Sequence, residues 1–219
     1  MFEGFSEDAF RFYGELDRNN NKVWWLANKA RYESVVREPM LTLGEELELE
    51  FGAIKMFRPY RDVRFSADKS PYKEHAAIVC ENSREGGGLY LQLGASGIRL
   101  GGGFYRPAKD QLARFREAMD VEAHAKSWRH LISELAKDGF ALMDEDSLTT
   151  APKGWSKDHP NIDLLRLTNL AIDKYLDTAG WMSTSECYER VRDEWLIVEE
   201  LNAWLAERVG RSELPVRGR

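Results

Sequence analysis

Five basic residues lie close together in residues 58–73, which read R-P-Y-R-D-V-R-F-S-A-D-K-S-P-Y-K and are called the basic segment below. They are Arg58, Arg61, Arg64, Lys69 and Lys73. Arginine presents a planar fork that binds phosphate or carboxylate through two parallel hydrogen bonds, and lysine acts as a compact point charge. We therefore predict a site for a small anionic ligand: a phosphorylated molecule, a nucleotide or a carboxylate.

Two acids within the basic segment, Asp62 and Asp68, leave other interpretations open. The segment keeps a net charge of +3, although the whole chain carries −6. The two carboxylates could orient the arginines behind a bound anion. They could equally form an ion-pair network that fixes a long loop to the core. A third interpretation is a docking loop for a partner protein or a structured nucleic acid.

His75 follows the basic segment directly and is the one candidate for acid or base catalysis. The ordinary pKa of histidine lies near neutral pH, so it can exchange a proton under physiological conditions. A histidine held in a structural hydrogen bond is the more common case, and the sequence does not establish that the protein is an enzyme. Metal-binding spacings and the glycine motifs of nucleotide cofactors are absent, so we expect no metal and no cofactor.

A run of three glycines at 101–103 precedes Pro107, where a helix is predicted to begin. Free N–H groups at a helix start attract phosphate, and glycine lets a ligand approach the backbone. Glycines that end a strand also permit a bulge or a close crossing of two chain segments. Both interpretations remain open at this point.

The composition narrows the class of protein. Hydrophobic residues make up 43% of 219 residues and charged residues 31%, which is typical of a globular chain with one sizeable core. The net negative charge disfavours an extended nucleic-acid surface. The acidic N-terminus and the short apolar runs indicate neither a signal peptide nor a membrane span, so we expect a cytoplasmic protein. The oligomeric state is open.

Hydrophobic periodicity predicts helices at both ends of the chain and strands between them. Ser6 before two acids is typical of a helix start, and the asparagines at 19–21 end that helix and begin the next. Pro39 predicts two helices or one kinked helix. Strands are predicted at 54–57, 74–81, 88–93 and 98–103, the last two forming a hairpin. Later helices are predicted from Pro107, at 124–137, at 162–170 and after a capping box at Ser183. Residues 142–155 fit irregular or short-strand structure, and residues 171–176 fit helix or strand.

Helices, an antiparallel meander and further helices define an α+β fold. We predict a single domain over residues 1–209, with N-terminal helices, a central β-meander and C-terminal helices. Residues 210–219 are polar and rich in arginine, and we predict a flexible tail there.

Four stretches of the chain resemble a bacterial and fungal family of conserved hypothetical proteins, a domain of unknown function. They are an N-N-x-K-x-W-W run that ends at Trp25, the pair Arg31 and Tyr32, R-D-x-R-F-S-x-D-K-x-P-Y-K at 61–73, and G-G-G-F-Y-x-P at 101–107. The resemblance implies a cytosolic single-domain protein of about this length. It transfers no catalytic residue.

Overall fold

Residues 1–64, 66–81, 83 and 87–215 are described by the computed structural model. Phe65 of the basic segment and residues 216–219 of the predicted tail lie outside the described residues.

The chain begins with three helices, α1 (Glu7–Arg18), α2 (Lys22–Tyr32) and α3 (Glu38–Phe51). Asn21 caps α2, since its side chain accepts hydrogen bonds from the N–H groups of Val23 and Trp24. This confirms that the asparagines both end α1 and begin α2. A π-helical turn over Glu33–Arg37 joins α2 to α3, and Pro39 lies in the first turn of α3. Tyr32, Arg37 and Glu38 all have helical backbone angles, so α2, the π-helical turn and α3 are continuous. The local change in hydrogen bonding therefore lies directly before the proline, which has no N–H to donate.

Six strands form one sheet in the order β1-β2-β3-β4-β6-β5. They are β1 (Ile54–Met56), β2 (His75–Cys80), β3 (Gly88–Gly94), β4 (Gly97–Phe104), β5 (Ala141–Leu142) and β6 (Leu170–Asp177). The four central predictions are confirmed, including the hairpin. The segment that fitted helix or strand is β6, which pairs with β5 through Ala141 opposite Asp173 and Leu142 opposite Ile172.

The register of β1, β2 and β3 separates an inward from an outward sheet face. Ile78 is paired with Met56 on one side and Leu91 on the other, and these residues share the inward face with Leu89 and Leu93. These leucines are fully buried. Their strand neighbours alternate to the opposite side, as the two-residue period of a strand requires. We call that opposite side the outward face.

The remaining helices are α4 (Lys109–Asp120), α5 (Glu122–Lys137), α6 (Ile162–Leu165) and α7 (Glu186–Arg208). Pro107 was predicted to open α4, but it precedes the Ala108 N-cap. The prediction of helix across 162–170 is wrong beyond residue 165, because Leu170 already belongs to β6 and is buried there. A short 3₁₀ helix ends at Ser183, so α7 begins later than the capping box indicated.

The fold class is α+β, with N-terminal helices, an antiparallel sheet and a C-terminal helix, as predicted. Contacts along the chain group into two compact units. The first comprises Met1–Glu81, Leu89–Leu100 and Tyr175–Trp195, and the second Asn82–Gly88, Gly101–Lys174 and Leu196–Arg219. The basic segment and His75 belong entirely to the first unit.

The predicted tail begins with residues that bind α4. Asp110 accepts hydrogen bonds from the Ser212 hydroxyl (2.8 Å) and from the Glu213 N–H (2.8 Å). The Arg114 guanidinium donates to the Arg211 carbonyl at 2.7 Å. The extent of any flexible tail therefore stays a prediction for the residues beyond these contacts.

Candidate anion-binding site

The basic segment is a loop closed at its base by main-chain hydrogen bonds. The Arg61 N–H donates to the Pro71 carbonyl (2.9 Å), and the Lys73 N–H donates to the Pro59 carbonyl (2.8 Å). Tyr60 and Tyr72 form an isolated antiparallel bridge between these bonds. The ends of the loop are therefore fixed to each other, directly before β2.

Asn20 holds the base of the loop from the start of α2. Its side chain accepts a hydrogen bond from the Tyr72 N–H (3.1 Å) and donates to the Tyr72 carbonyl (2.9 Å). The amide thus pairs with one residue as a neighbouring strand would. The rings of Trp25 and Tyr72 stack with centroids 4.2 Å apart and planes 11° apart. Two residues of the N-N-x-K-x-W-W run therefore position the basic segment.

Arg31 fixes the relative position of α1 and α2, and so of Asn20 and Trp25. Its guanidinium donates to both oxygens of Asp8 (2.8 and 2.9 Å) and to both oxygens of Glu15 (2.6 and 3.3 Å). These bonds hold the pKa of Asp8 at about 2 and lower that of Glu15, because a hydrogen bond to a cation favours the ionised carboxylate. Both acids are bonded to Arg31, and Asp8 also accepts a hydrogen bond from the Arg11 Nε at 2.9 Å.

Three of the five predicted ligand-binding residues make bonds within the loop. Arg64 grips Asp62 through two nitrogens (2.9 and 2.6 Å), and Arg61 is paired with Asp68. The Lys69 ammonium donates to the Val63 carbonyl at 2.9 Å.

The two acids of the loop keep their charge over most of the pH range. Hydrogen bonds from Arg64 lower the pKa of Asp62 to about 2. The pKa of Asp68 is also lowered to about 2, most strongly by hydrogen bonds from Ser70 and next by the one from Arg61. At the outer part of the loop the arrangement is that of an ion-pair network, one of the two roles predicted for the acids.

Lys73 and Arg58 at the base of the loop are in a different position. Lys73 as a whole is half-buried, and its ammonium lies 5.0 Å from the centroid of the Phe57 ring. Burial lowers its pKa, and repulsion from Arg58 adds to the effect. Among the residues the structure describes, neither Lys73 nor the exposed Arg58 is paired with a carboxylate. Here the positive charge is not balanced by the described chain.

His75 lies beside this unbalanced charge at the start of β2. Its pKa is lowered to about 4, first by burial and then by repulsion from Lys73, Arg99 and Arg61. The imidazole is therefore neutral at pH 7. A neutral ring can donate one hydrogen bond to an anion and accept one, but it is a weak base, so the geometry gives catalysis by His75 no particular support.

The glycines at 101–103 lie in the second unit, and each permits a close approach of backbone. An added Cβ at Gly101, Gly102 or Gly103 would lie 2.2–2.4 Å from a carbonyl oxygen of the chain beside it. Because a real Cβ cannot come so near, these positions exclude larger residues for steric reasons. This supports the interpretation of the glycine run as a close crossing of two chain segments, and not as a ligand contact.

Two residues near the site were missed in the sequence. Asn20 was read only as part of a helix boundary, although its place in the N-N-x-K-x-W-W run was a signal. Arg99 follows Ile98 in β4, and the alternation of that strand could have placed it on the outward face. In the described part of the chain, no group of three potential metal ligands converges. Nor does any helix in that part have the length and apolarity needed to cross a membrane.

The chain belongs to the conserved hypothetical protein family DUF2461, which it matches over residues 8–204. The match includes the whole basic segment, His75 and the glycine run. No curated protein matches the chain, and no solved structure does either.

Proposed function

We propose that this protein binds a small anionic ligand at the base of the basic segment. Lys73 and Arg58 supply the binding charge, and Arg61 adds to the positive potential while staying paired with Asp68. The ligand is a phosphorylated small molecule, a nucleotide or a carboxylate. Arg64 and Lys69 have a structural role in this proposal, because each is already bonded within the loop.

The half-burial of Lys73, without a carboxylate partner among the described residues, is the observation that carries the proposal. Removing an ammonium group from water costs free energy unless an opposite charge or hydrogen-bond acceptors replace the lost solvent. The Phe57 ring compensates only in part, since a cation–π contact contributes about 0.5–2 kcal/mol. A bound anion would offset the remaining cost, and the neutral imidazole of His75 could donate a hydrogen bond to it.

Thermal denaturation with added anions tests the proposal. Inorganic phosphate and citrate are compared with chloride at equal ionic strength, and a ligand far above its Kd should raise the melting temperature. We expect a rise with phosphate or citrate that is lost in Lys73→Met and reduced in Arg58→Met. Methionine keeps most of the lysine volume over Phe57 and removes only the charge.

Arg64→Met and Lys69→Met are the matched controls, because they remove the same charge from the outer part of the loop. Both should retain the response to anions. If no anion raises the melting temperature of the unmodified protein, or if all four variants lose the response equally, the proposed site is wrong.

A further inference from the structure

The outward sheet face continues from His75 towards an exposed aromatic ring. Tyr175 of β6 is 66% exposed, and the Arg99 guanidinium of β4 lies 4.9 Å from the centroid of its ring. Arg99 is also one of the three cations close enough to lower the pKa of His75. The arginine therefore connects the proposed anion site with an aromatic surface, all within the first unit.

Small residues lie between the charged end and the aromatic end of this face. The register pairs His75 with Gly94, and Ala77 with Gln92. Gly94 has no side chain beside the imidazole, and Ala77 contributes a single methyl group. The Ala77 methyl group is itself buried, so a ligand reaches this face at Gly94 and not at Ala77. An added Cβ at Gly94 would have only the Glu74 carbonyl oxygen within 4 Å, at 3.7 Å, so there is room for a ligand beside the imidazole.

Gln92 supplies a hydrogen-bonding group on the outward face. Its Oε1 accepts a hydrogen bond from the Tyr90 hydroxyl at 2.9 Å. The amide nitrogen makes no hydrogen bond with any described residue, so two N–H donors face the outward side. Amide groups at such positions recognise the polar edge of a heteroaromatic ring.

We infer that the anion bound at Lys73 and Arg58 is a mononucleotide whose base stacks on the Arg99–Tyr175 pair. The inference rests on the proposed function for its phosphate end. Stacking on tyrosine and arginine tolerates every base, because each has a π-face, while Gln92 donates to an acceptor on the base edge. A sugar phosphate would occupy the charged end and leave the aromatic end unused.

The charge distribution favours a mononucleotide over a single strand of nucleic acid. A groove that follows a phosphate backbone needs a row of cations with a matching periodicity. Here Lys73 and Arg58 lie at one end of the face, Arg99 lies against the Tyr175 ring at the other, and the chain as a whole carries −6. One phosphate group matches that arrangement, and a row of phosphates does not.

Isothermal titration calorimetry on the full chain tests the inference with four probes: adenosine monophosphate, ribose 5-phosphate, adenosine and a single-stranded hexanucleotide. We expect the mononucleotide to bind about tenfold to 100-fold more tightly than ribose 5-phosphate, the range that stacking of one base provides. Tyr175→Leu should remove this difference and leave ribose 5-phosphate binding unchanged. Lys73→Met should weaken both phosphates.

Tyr105→Leu is the matched control. Tyr105 is an equally exposed tyrosine, and it has its own arginine, Arg106, at 5.4 Å from the ring centroid. It lies in the second unit and should have no effect on any probe. Circular dichroism and the melting temperature verify that each variant is folded.

The outcomes separate the inference from the proposal beneath it. Equal binding of mononucleotide and ribose 5-phosphate, or full discrimination in Tyr175→Leu, overturns the nucleotide inference and leaves the anion site intact. Failure of both phosphates to bind overturns the nucleotide inference, and the anion site falls as well if citrate also fails to raise the melting temperature. A hexanucleotide that binds more than about 100-fold more tightly than the mononucleotide, with a steep salt dependence, also overturns the inference, because the face would then be a nucleic-acid surface.

Discussion

The pKa of His75 provides the sharpest test of the electrostatics at the candidate site. It is about 4 in the folded protein, compared with about 6.5 for an exposed histidine. The causes are burial first and then Lys73, Arg99 and Arg61. Lys73→Met should therefore raise the pKa of His75, but not as far as 6.5, because burial and the two arginines remain. Lys69→Met should leave it unchanged, since Lys69 is bonded to the outer part of the loop.

The same pKa predicts a loss of stability on mild acidification. Above pH 6.5 the histidine is neutral in both the folded and the unfolded chain, so it makes no pH-dependent contribution. Between pH 6.5 and about 4 the unfolded chain binds a proton that the folded chain does not, so the free energy of unfolding falls as the pH falls. Between pH 7 and pH 5, His75 can lower the free energy of unfolding by at most about 2 kcal/mol. Solvent screens the half-buried ring, and we therefore expect a fall of about 1 kcal/mol.

Two assays measure these quantities. Proton–carbon NMR follows the imidazole Cε1–H signals of the four histidines through a pH titration, and His75→Gln assigns the relevant signal. Urea denaturation at pH 7 and pH 5 gives the free energies, and His75→Gln should lose about 1 kcal/mol less than the unmodified protein over that interval. The reasoning is refuted if His75 titrates near pH 6.5, or if Lys69→Met raises its pKa as much as Lys73→Met does.

Two further predictions concern residues that hold the site, and a third concerns the glycine run of the second unit. Arg31→Met should lower the free energy of unfolding in urea by about 2 kcal/mol, because Asp8 and Glu15 each lose two hydrogen bonds from a half-buried guanidinium, and the remaining Arg11 is hydrogen-bonded only to Asp8. Arg11→Met, at a more exposed guanidinium, should cost less than about 1 kcal/mol. Equal losses would contradict the role of Arg31. Asn20→Asp should lower the free energy of unfolding by about 1–2 kcal/mol, because a carboxylate oxygen would face the backbone carbonyl to which the amide now donates. The stability should recover at low pH, where the protonated acid regains a donor. An unchanged denaturation midpoint at neutral pH would exclude this cause. Gly102→Ala should cost more than about 2 kcal/mol, since the added Cβ would lie 2.2 Å from a backbone oxygen; Gly180→Ala, with nothing within 4 Å, should be close to neutral.

The elements that the sequence predicted best are those with a local signal. The asparagines at 19–21 marked a helix boundary because their side chains satisfy backbone groups within a few residues. The alternation of Leu89, Leu91 and Leu93 marked a strand with one buried face, which β3 has. Residues 171–176 fitted either period in the sequence, and the pairing of β6 with β5 decided for strand.

At the candidate site the sequence determined which charges are present, and the tertiary structure decided how each is used. The same five basic residues and two acids fitted an anion site or an ion-pair network. The fold assigns Arg61, Arg64 and Lys69 to bonds within the loop and leaves Lys73 and Arg58 without a carboxylate among the described residues. No local pattern carries that distinction, because it depends on which acids the loop closure brings within reach.

What the sequence by itself determined is the α+β class, most of the helices and strands, and a positive loop in an acidic chain. These depend on periodicity and charge, which are written along the chain. Only the tertiary structure joined Asn20 to Tyr72 across 52 positions and placed Arg99 on Tyr175. Such contacts form because folding brings distant segments together, and their partners are chosen by distance in space and not by spacing in sequence.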